Sequence, residues 1–342
     1  MKVLYAIQGT GNGHLARAKE IIPVLKKEIT QLDILVSGTQ VDLNLGHEIT
    51  YRLHGMSFIF GKKGGVSFLK TLKQLCLKKI YDDIKKLPIK EYDYVINDFE
   101  PISAWAAKLH HVHCIGLSHQ NAVLHPKAPK PNKFAPFSKG ILKYYAPCTE
   151  KIGFHFKTFG KNIHKPIIRQ EIRNIQQKIS TQNSKNIVVY LPSYEDKILI
   201  NVFSNFPKNN WKIFSKHSTK KYTKNNIEIH PITNTLFIKE MAQSNGVICG
   251  AGFETPAEAL FLKKKLLVIP MKHQYEQYCN AECLKEMGII VLNSLQQKDV
   301  LKVIQNWLNQ KNTITVNYPD NTQKIITQIT KNQKKKRVIN NC

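Results

Sequence analysis

Twice in this chain a short apolar run stops at a glycine-rich turn and gives way at once to a helical pattern. Near the N-terminus, Val3-Leu4-Tyr5-Ala6-Ile7 leads into Gln8-Gly9-Thr10-Gly11-Asn12-Gly13-His14. Leu15, Ala18, Ile21, Ile22 and Leu25 then recur on one side of a helix. Far downstream, residues 246–249 lead into Gly250-Ala251-Gly252-Phe253-Glu254-Thr255-Pro256-Ala257-Glu258-Ala259. Uninterrupted apolar runs of this length suit strands buried on both faces, as in parallel sheets covered by helices. The pattern predicts an α/β fold of the doubly wound kind. Ligands of such folds sit at the carboxyl ends of the strands, where both glycine turns fall.

The rest of the sequence repeats the alternation. Strands are predicted at residues 2–7, 32–36, 49–53, 94–97, 113–117 and 152–156, with helices at 15–27, 67–86 and 101–110. Residues 127–136, rich in Pro and Lys, read as a loop. Residues 162–166 read as a crossover, with a helix starting after Arg169. A second series has strands at 187–191, 211–215, 227–230, 246–249, 266–269 and 289–292. Its helices are predicted at 197–206, 235–244, 255–262, 274–287 and 298–309. A length of 342 residues suits two domains. The expected architecture is two Rossmann-like doubly wound domains facing a central cleft, 1–162 and 163–330. Residues 331–342 carry five positive charges and no acid, and are expected to form a disordered tail.

The downstream turn has the makings of a nucleotide-sugar site. Gly250 and Gly252 let the backbone approach a ligand closely, and the free N–H groups of the next helix favour a diphosphate there. Glu258 lies one helical turn beyond Thr255 on the same face, where its carboxylate suits the two hydroxyls of a ribose. Pro270 follows, then Glu276-Gln277-Tyr278-Cys279-Asn280-Ala281, placed for the sugar. Ser193, at the end of strand 187–191, is positioned to donate to the diphosphate. The plainer alternative is the strand–turn–helix of any doubly wound domain.

The first turn, Gly9, Thr10, Gly11, Asn12 and Gly13, reads as a phosphate- or sugar-facing loop on the acceptor side. A dinucleotide fingerprint fits less well. The third glycine comes two residues after the second instead of three, and strand 32–36 ends in Ser37-Gly38 with no acid. His14, in the first helical turn, is the candidate general base, kept neutral by the positive helix end. A capping or substrate-orienting histidine is the alternative. Asp98, Glu100 and Ser118-His119-Gln120-Asn121 end neighbouring strands and face the same crevice. Asp98 or Glu100 would serve as base or bind acceptor hydroxyls, and His119 would touch the acceptor. Asp98 is alternatively the N-cap of the helix that Pro101 opens.

These segments resemble GT-B glycosyltransferases, in particular the peptidoglycan UDP-N-acetylglucosamine transferase group and its uncharacterised relatives. Thr255, Glu258-Ala259, Pro270, Glu276-Gln277 and Asn280-Ala281 fill the places of that group's donor motif, and Gly-Thr-Gly-Asn-Gly-His those of its N-terminal loop. Ala251 stands where many members have glycine, and Glu276 where many have Asp or Gln. The resemblance is specific over 246–281 and weaker over 3–25. It implies a UDP-sugar carrying a hexose or N-acetylhexosamine, with the base held near Ile232 largely through backbone. It also implies a hydroxyl acceptor on a glycan or lipid, inversion, and no metal or cofactor beyond the nucleotide-sugar co-substrate. A non-hydrolysing UDP-sugar epimerase and a non-catalytic GT-B-like membrane or glycan binder are the rivals.

Composition narrows the partners. The formal net charge is +27, yet of 51 basic residues only five are arginine. With no nucleic-acid fold signature, a nucleic-acid partner is not expected. Residues 61–90 hold nine lysines against two aspartates, around apolar residues at helical spacing. Such a helix either packs on the sheet or makes peripheral contact with an anionic membrane. Seven cysteines without scaffold spacing suggest free thiols and no zinc site. With no apolar run of membrane-spanning length and no signal peptide, the expectation is a cytoplasmic protein.

Overall fold

The computed structural model describes residues 1–10, 12–38, 45–55, 77–131, 136–177 and 185–340. Two seven-stranded sheets organise the chain. The first contains β1 (Lys2–Gln8), β2 (Gln31–Ser37), β3 (Tyr51–Leu53), β4 (Tyr94–Asp98), β5 (Cys114–Ser118), β6 (Glu150–Phe154) and β7 (Ile163–His164). Their spatial order is β3-β2-β1-β4-β5-β6-β7, all parallel. The second contains β8 (Asn186–Tyr190), β9 (Asn210–Ser215), β10 (Tyr222–Lys224), β11 (Ile227–Pro231), β12 (Gly246–Gly250), β13 (Lys265–Ile269) and β14 (Ile290–Val291). Their order is β10-β11-β9-β8-β12-β13-β14, parallel except for β10 with β11. In each sheet the winding reverses beside the first strand, β1 lying between β2 and β4, and β8 between β9 and β12. At such a switch point the following loops part and leave a crevice.

The helices that matter for the site are α1 (Asn12–Glu28), α2 (Leu77–Lys86), α3 (Pro101–Leu109), α4 (His119–Val123) and α5 (Pro136–Tyr144) in the first half. They are followed by α6 (Gln170–Gln176), α7 (Asp196–Phe203), α8 (Asn234–Gln243), α9 (Glu254–Phe261), α10 (Tyr275–Glu286), α11 (Val300–Asn309) and α12 (Thr322–Asn340). The apolar stripe of α1, from Leu15 to Leu25, is fully buried in one cluster with Val3, Tyr5 and Ile7 of β1. Each leucine and isoleucine of the stripe contributes roughly 1.5–3 kcal/mol of burial free energy. In α2, Ile84 is buried and Ile80 packs on the cluster of Leu4, Ala6 and Val95, so its apolar face is used on the sheet. Residues 61–76 of the basic segment lie outside the described residues.

Three features differ from the sequence reading. The first sheet continues through β7, so its end falls beyond residue 162. The short strand β10 was not foreseen: it is exposed along its length and turns into β11 at Asn225, whose φ is 54°. The tail expected to be disordered is instead the C-terminal part of α12, described to residue 340. Ile325, Ile326, Ile329, Thr330 and Gln333 recur at helical spacing and are buried. That helix returns to the first half of the molecule, where Thr327 Oγ1 donates to Glu28 of α1 at 2.7 Å and Arg337 pairs with Asp93 at 3.1 Å. Its lysines sit on the solvent side of a packed helix, which composition alone does not distinguish from disorder. Among the described residues, no helix is long and apolar enough to cross a membrane. The described cysteines, 114, 148, 249, 279 and 283, are free thiols.

Candidate active site

Register decides which side chains reach the crevice of the first sheet. Ile7 pairs with Asp98 across β1 and β4, so Asp98 stands at the strand end beside the first glycine turn. Phe99 then takes a left-handed backbone, φ 58°, and redirects the chain within one residue. Glu100 is left at the head of α3, fully buried. Its carboxylate accepts from the N–H groups of Ile102 (2.9 Å) and Ser103 (2.6 Å) and from Ser37 Oγ (2.7 Å). Glu100 is thus the helix cap, and the capping role weighed for Asp98 belongs to it. This corrects the reading of Glu100 as a base: its oxygens are committed to the helix end.

Asp98 is free for other work. His14 Nδ1 lies 2.8 Å from Asp98 Oδ1. Arg17 grips the same carboxylate twice, Nε to Oδ2 at 3.0 Å and Nη2 to Oδ1 at 2.6 Å. Burial alone would push the Asp98 carboxyl up, but Arg17 and His14 beside it hold it below the usual carboxylate range. Arg17 Nη2 also lies 3.0 Å from His14 Nδ1. The ring proton is assigned to Nδ1 because the shorter contact is to an ionised acceptor, Asp98 Oδ1, on which the Nη2 donor converges as well. The lone pair of Nε2 then points towards Gln120, whose Nε2 is 3.4 Å away. Sequence reasoning offered His14 and Asp98 as competing bases; the fold makes them one dyad.

The second domain supplies the facing wall. Glu254, the first residue of α9, ion-pairs with Arg17 across the cleft. Glu258 is buried, and Arg169 grips both of its oxygens, Nε to Oε1 at 2.5 Å and Nη2 to Oε2 at 2.7 Å. Arg169 Nη1 also donates to Asn234 Oδ1 at 2.6 Å. Burial disfavours the Arg169 cation, and Glu258 more than offsets this. Gln120 Nε2 donates to Glu276 Oε2 at 2.9 Å, again joining the two halves, and burial pushes the Glu276 carboxyl up.

Two cavities meet at the first glycine loop. The larger, of ≈ 880 Å³, is lined by Asn12, Gly13, Arg169, the loop 215–219, Ile232, Thr255 and Glu258. Asp196 orders that loop, accepting from the hydroxyls of Ser215, Ser218 and Tyr222. The smaller, of ≈ 140 Å³, is lined by Thr10, His14, Phe99, Gln120, Tyr145 and Glu276 among others. Phe99 stacks on Tyr145 at 4.7 Å to form an aromatic floor. Residues 12–14 are therefore a partition: Asn12 and Gly13 face one cavity, and His14 faces the other.

Several expected ligand contacts fall elsewhere. Ser193 is buried and lines neither cavity, its place taken by Pro192 and the loop 215–219. Gly250, Gly252 and Phe253 also line neither. Gln277 Oε1 accepts from the Met271 N–H at 2.9 Å, and Asn280 Nδ2 donates to the Ala251 carbonyl at 3.0 Å. Both amides are spent on holding the turns in place. His119 is buried instead of reaching an acceptor. Its Nδ1 is 2.7 Å from the Phe154 carbonyl, its Nε2 is 2.7 Å from Asn280 Oδ1, and its ring stacks on Phe253 at 3.9 Å. Burial pushes its pKa down to about 3, so it is a neutral pin between the domains. Gly9 donates its N–H to the Ser37 carbonyl at 2.6 Å, and Gly11 lies outside the described residues. Arg17 and Arg169 were not singled out from sequence, and Gln120 was placed at the crevice without a role. Arg17 carried the clearest signal, as one of five arginines and one helical turn from His14. Among the described residues, no group of three or more His, Cys, Asp or Glu is arranged to hold a metal.

Two doubly wound domains whose switch points face each other across one cleft define the GT-B fold. The chain belongs to the family described as Glycosyl transferase family 1, which it matches over residues 1–310. Among solved structures it is similar to MurG of Acinetobacter baumannii, with a TM-score of 0.58 and 14% identity, covering 98% of this chain and 100% of that one. It is similar to the spinosyn rhamnosyltransferase SpnG, with a TM-score of 0.58 and 12% identity over 97% and 95% of the two chains. A UDP-N-acetylglucosamine 2-epimerase shares the fold at a TM-score of 0.53 and 13% identity, over 95% and 94%. A search of curated proteins returned no match.

Proposed function

We propose that this glycosyltransferase moves a hexose or N-acetylhexosamine from a UDP-sugar to a hydroxyl of a glycan or lipid-linked acceptor, with inversion and without a metal. The nucleotide occupies the larger cavity, its base along Ile232 and its ribose on the lone pairs of Glu258 that Arg169 leaves open. The diphosphate lies at the N–H groups that open α9, near Thr255. The acceptor enters the smaller pocket. Its hydroxyl gives up its proton to His14 Nε2 as the oxygen attacks the anomeric carbon, and the bond from that carbon to the diphosphate oxygen breaks. Asp98 stabilises the imidazolium that forms, and the helix-end N–H groups stabilise the leaving diphosphate. A single displacement inverts the anomeric centre. The net charge of +27 favours an anionic setting, and peripheral contact with the inner face of the cytoplasmic membrane is the proposed one.

One observation carries this reading: the partition that separates the cavities holds a histidine whose Nδ1 is tied to an ionised aspartate, and which lines the acceptor pocket. A thermal-shift titration with UDP, GDP, TDP and their sugars, on wild type and Glu258→Ala, tests the donor half. A shift with uridine nucleotides that the variant loses supports it. No shift with any nucleotide would refute it and leave the non-catalytic binder.

A further inference from the structure

The first glycine turn has an occupant within the protein. A Cβ built on Gly13 would lie 2.7 Å from Glu254 Oε2 and 3.1 Å from its Cδ. The carboxylate of the second domain therefore rests on the bare backbone of the first, in the space a side chain would fill. Its other oxygen, Oε1, accepts from Arg17 Nη1. Arg17 is only 2% exposed; its Nε and Nη2 are on Asp98, and Nη2 also lies 3.0 Å from His14 Nδ1. A continuous chain of contacts thus runs from the head of α9 through Glu254, Arg17 and Asp98 to His14.

We propose that Glu254 is a positioning residue, supplied by the donor domain, that completes the catalytic dyad of the acceptor domain when the cleft is closed. Gly13 is the receptor for its carboxylate, and Arg17 is the relay. The relay requires charge at both ends. A buried guanidinium between two carboxylates is held in one orientation, and that orientation fixes the Asp98 oxygen that accepts the hydrogen bond from His14 Nδ1. With Glu254 withdrawn, Nη1 has lost its carboxylate and Arg17 is held from one side alone. Domain closure over the donor and alignment of the base are then one event. This role rests on the dyad proposed above, but the latch between the domains can be tested without turnover.

The test uses Glu254→Gln, Glu254→Ala, Gly13→Ala and the double variant Gly13→Ala/Glu254→Ala. UDP affinity is measured by calorimetry, UDP release from UDP-N-acetylglucosamine gives kcat and KM, and stability is read as the thermal midpoint. Glu254→Gln is expected to lower kcat by about 10- to 100-fold through misalignment, with donor KM and UDP affinity within about threefold of wild type. Gly13→Ala is expected to lower the midpoint in the wild-type background, and to leave it unchanged or raise it in the Glu254→Ala background, where the clash is gone and only the helix preference for Ala remains. Additive midpoints would overturn the latch even if no donor were turned over. A change of tenfold or more in UDP affinity in Glu254→Gln, in either direction, would overturn it too, by placing the carboxylate in the diphosphate site. Failure to find turnover while the midpoints remain non-additive would count against the catalytic reading and leave the latch standing.

Discussion

Glu258 is where the donor assignment is most exposed to refutation. Arg169 takes one lone pair of each oxygen, at 2.5 and 2.7 Å. A carboxylate offers about four such positions, so about two are left for the ribose hydroxyls. Glu258→Gln keeps the shape. It replaces one acceptor with an NH2 that must face either Arg169 or the ribose, and it removes the charge from the other. A hydrogen bond to a charged group contributes about 1.5–3 kcal/mol. Losing one and weakening the second costs about 2–3 kcal/mol, or roughly 30- to 150-fold in the Kd for UDP. Calorimetric titration with UDP and with its 2′,3′-dideoxy analogue isolates the effect. Wild type is expected to prefer UDP over the analogue by at least that factor, and the variant to show a preference smaller by about that factor. The reasoning fails if UDP binds the variant within about threefold of wild type, or if the analogue loses as much affinity as UDP does. Equal losses would mean a disturbed pocket and no ribose contact.

Other outcomes follow from the same geometry. Asp98→Asn is expected to lower kcat by about 10²–10⁴ while UDP affinity holds, because an amide NH2 facing Nδ1 moves the ring proton to Nε2; retained turnover in UDP-release assays would dismiss the dyad. Glu100→Ala should cost about 0.5–2 kcal/mol of stability through the lost cap, read from the urea midpoint, with UDP affinity unchanged. His155 is buried and has no hydrogen-bond partner on either ring nitrogen among the described residues, and burial holds its pKa well below the usual 6.5. The unfolded chain binds a proton there below that pH and the folded chain does not. Its contribution to stability is therefore fully present above about pH 6.5 and falls by about 1.4 kcal/mol per pH unit below it. His155→Phe should remove that much of the slope in acid unfolding curves, His119 continuing to contribute its own; an unchanged slope would contradict a neutral buried ring.

The repeated strand–glycine–helix pattern was enough to determine the doubly wound class and the two-sheet plan. Apolar runs that need burial on both faces, alternating with helical stripes, have few other ways to pack. Position at a strand end likewise marked Asp98, and the first helical turns after the two glycine loops marked His14 and Glu258, since that edge is where backbone and side chains are left over from the sheet. Tertiary structure alone decided what those residues are to one another. His14 and Asp98 are 84 residues apart, and only the parallel register of β1 with β4 sets them 2.8 Å from each other. The left-handed turn at Phe99 gives Asp98 to the crevice and Glu100 to the helix, a choice that two acids one residue apart do not announce. The amides of Gln277 and Asn280 turned inward because buried backbone groups need partners, and those partners exist only once the strands have met. Glu254 and Gly13 became neighbours only across the cleft, where spacing along the chain carries no information.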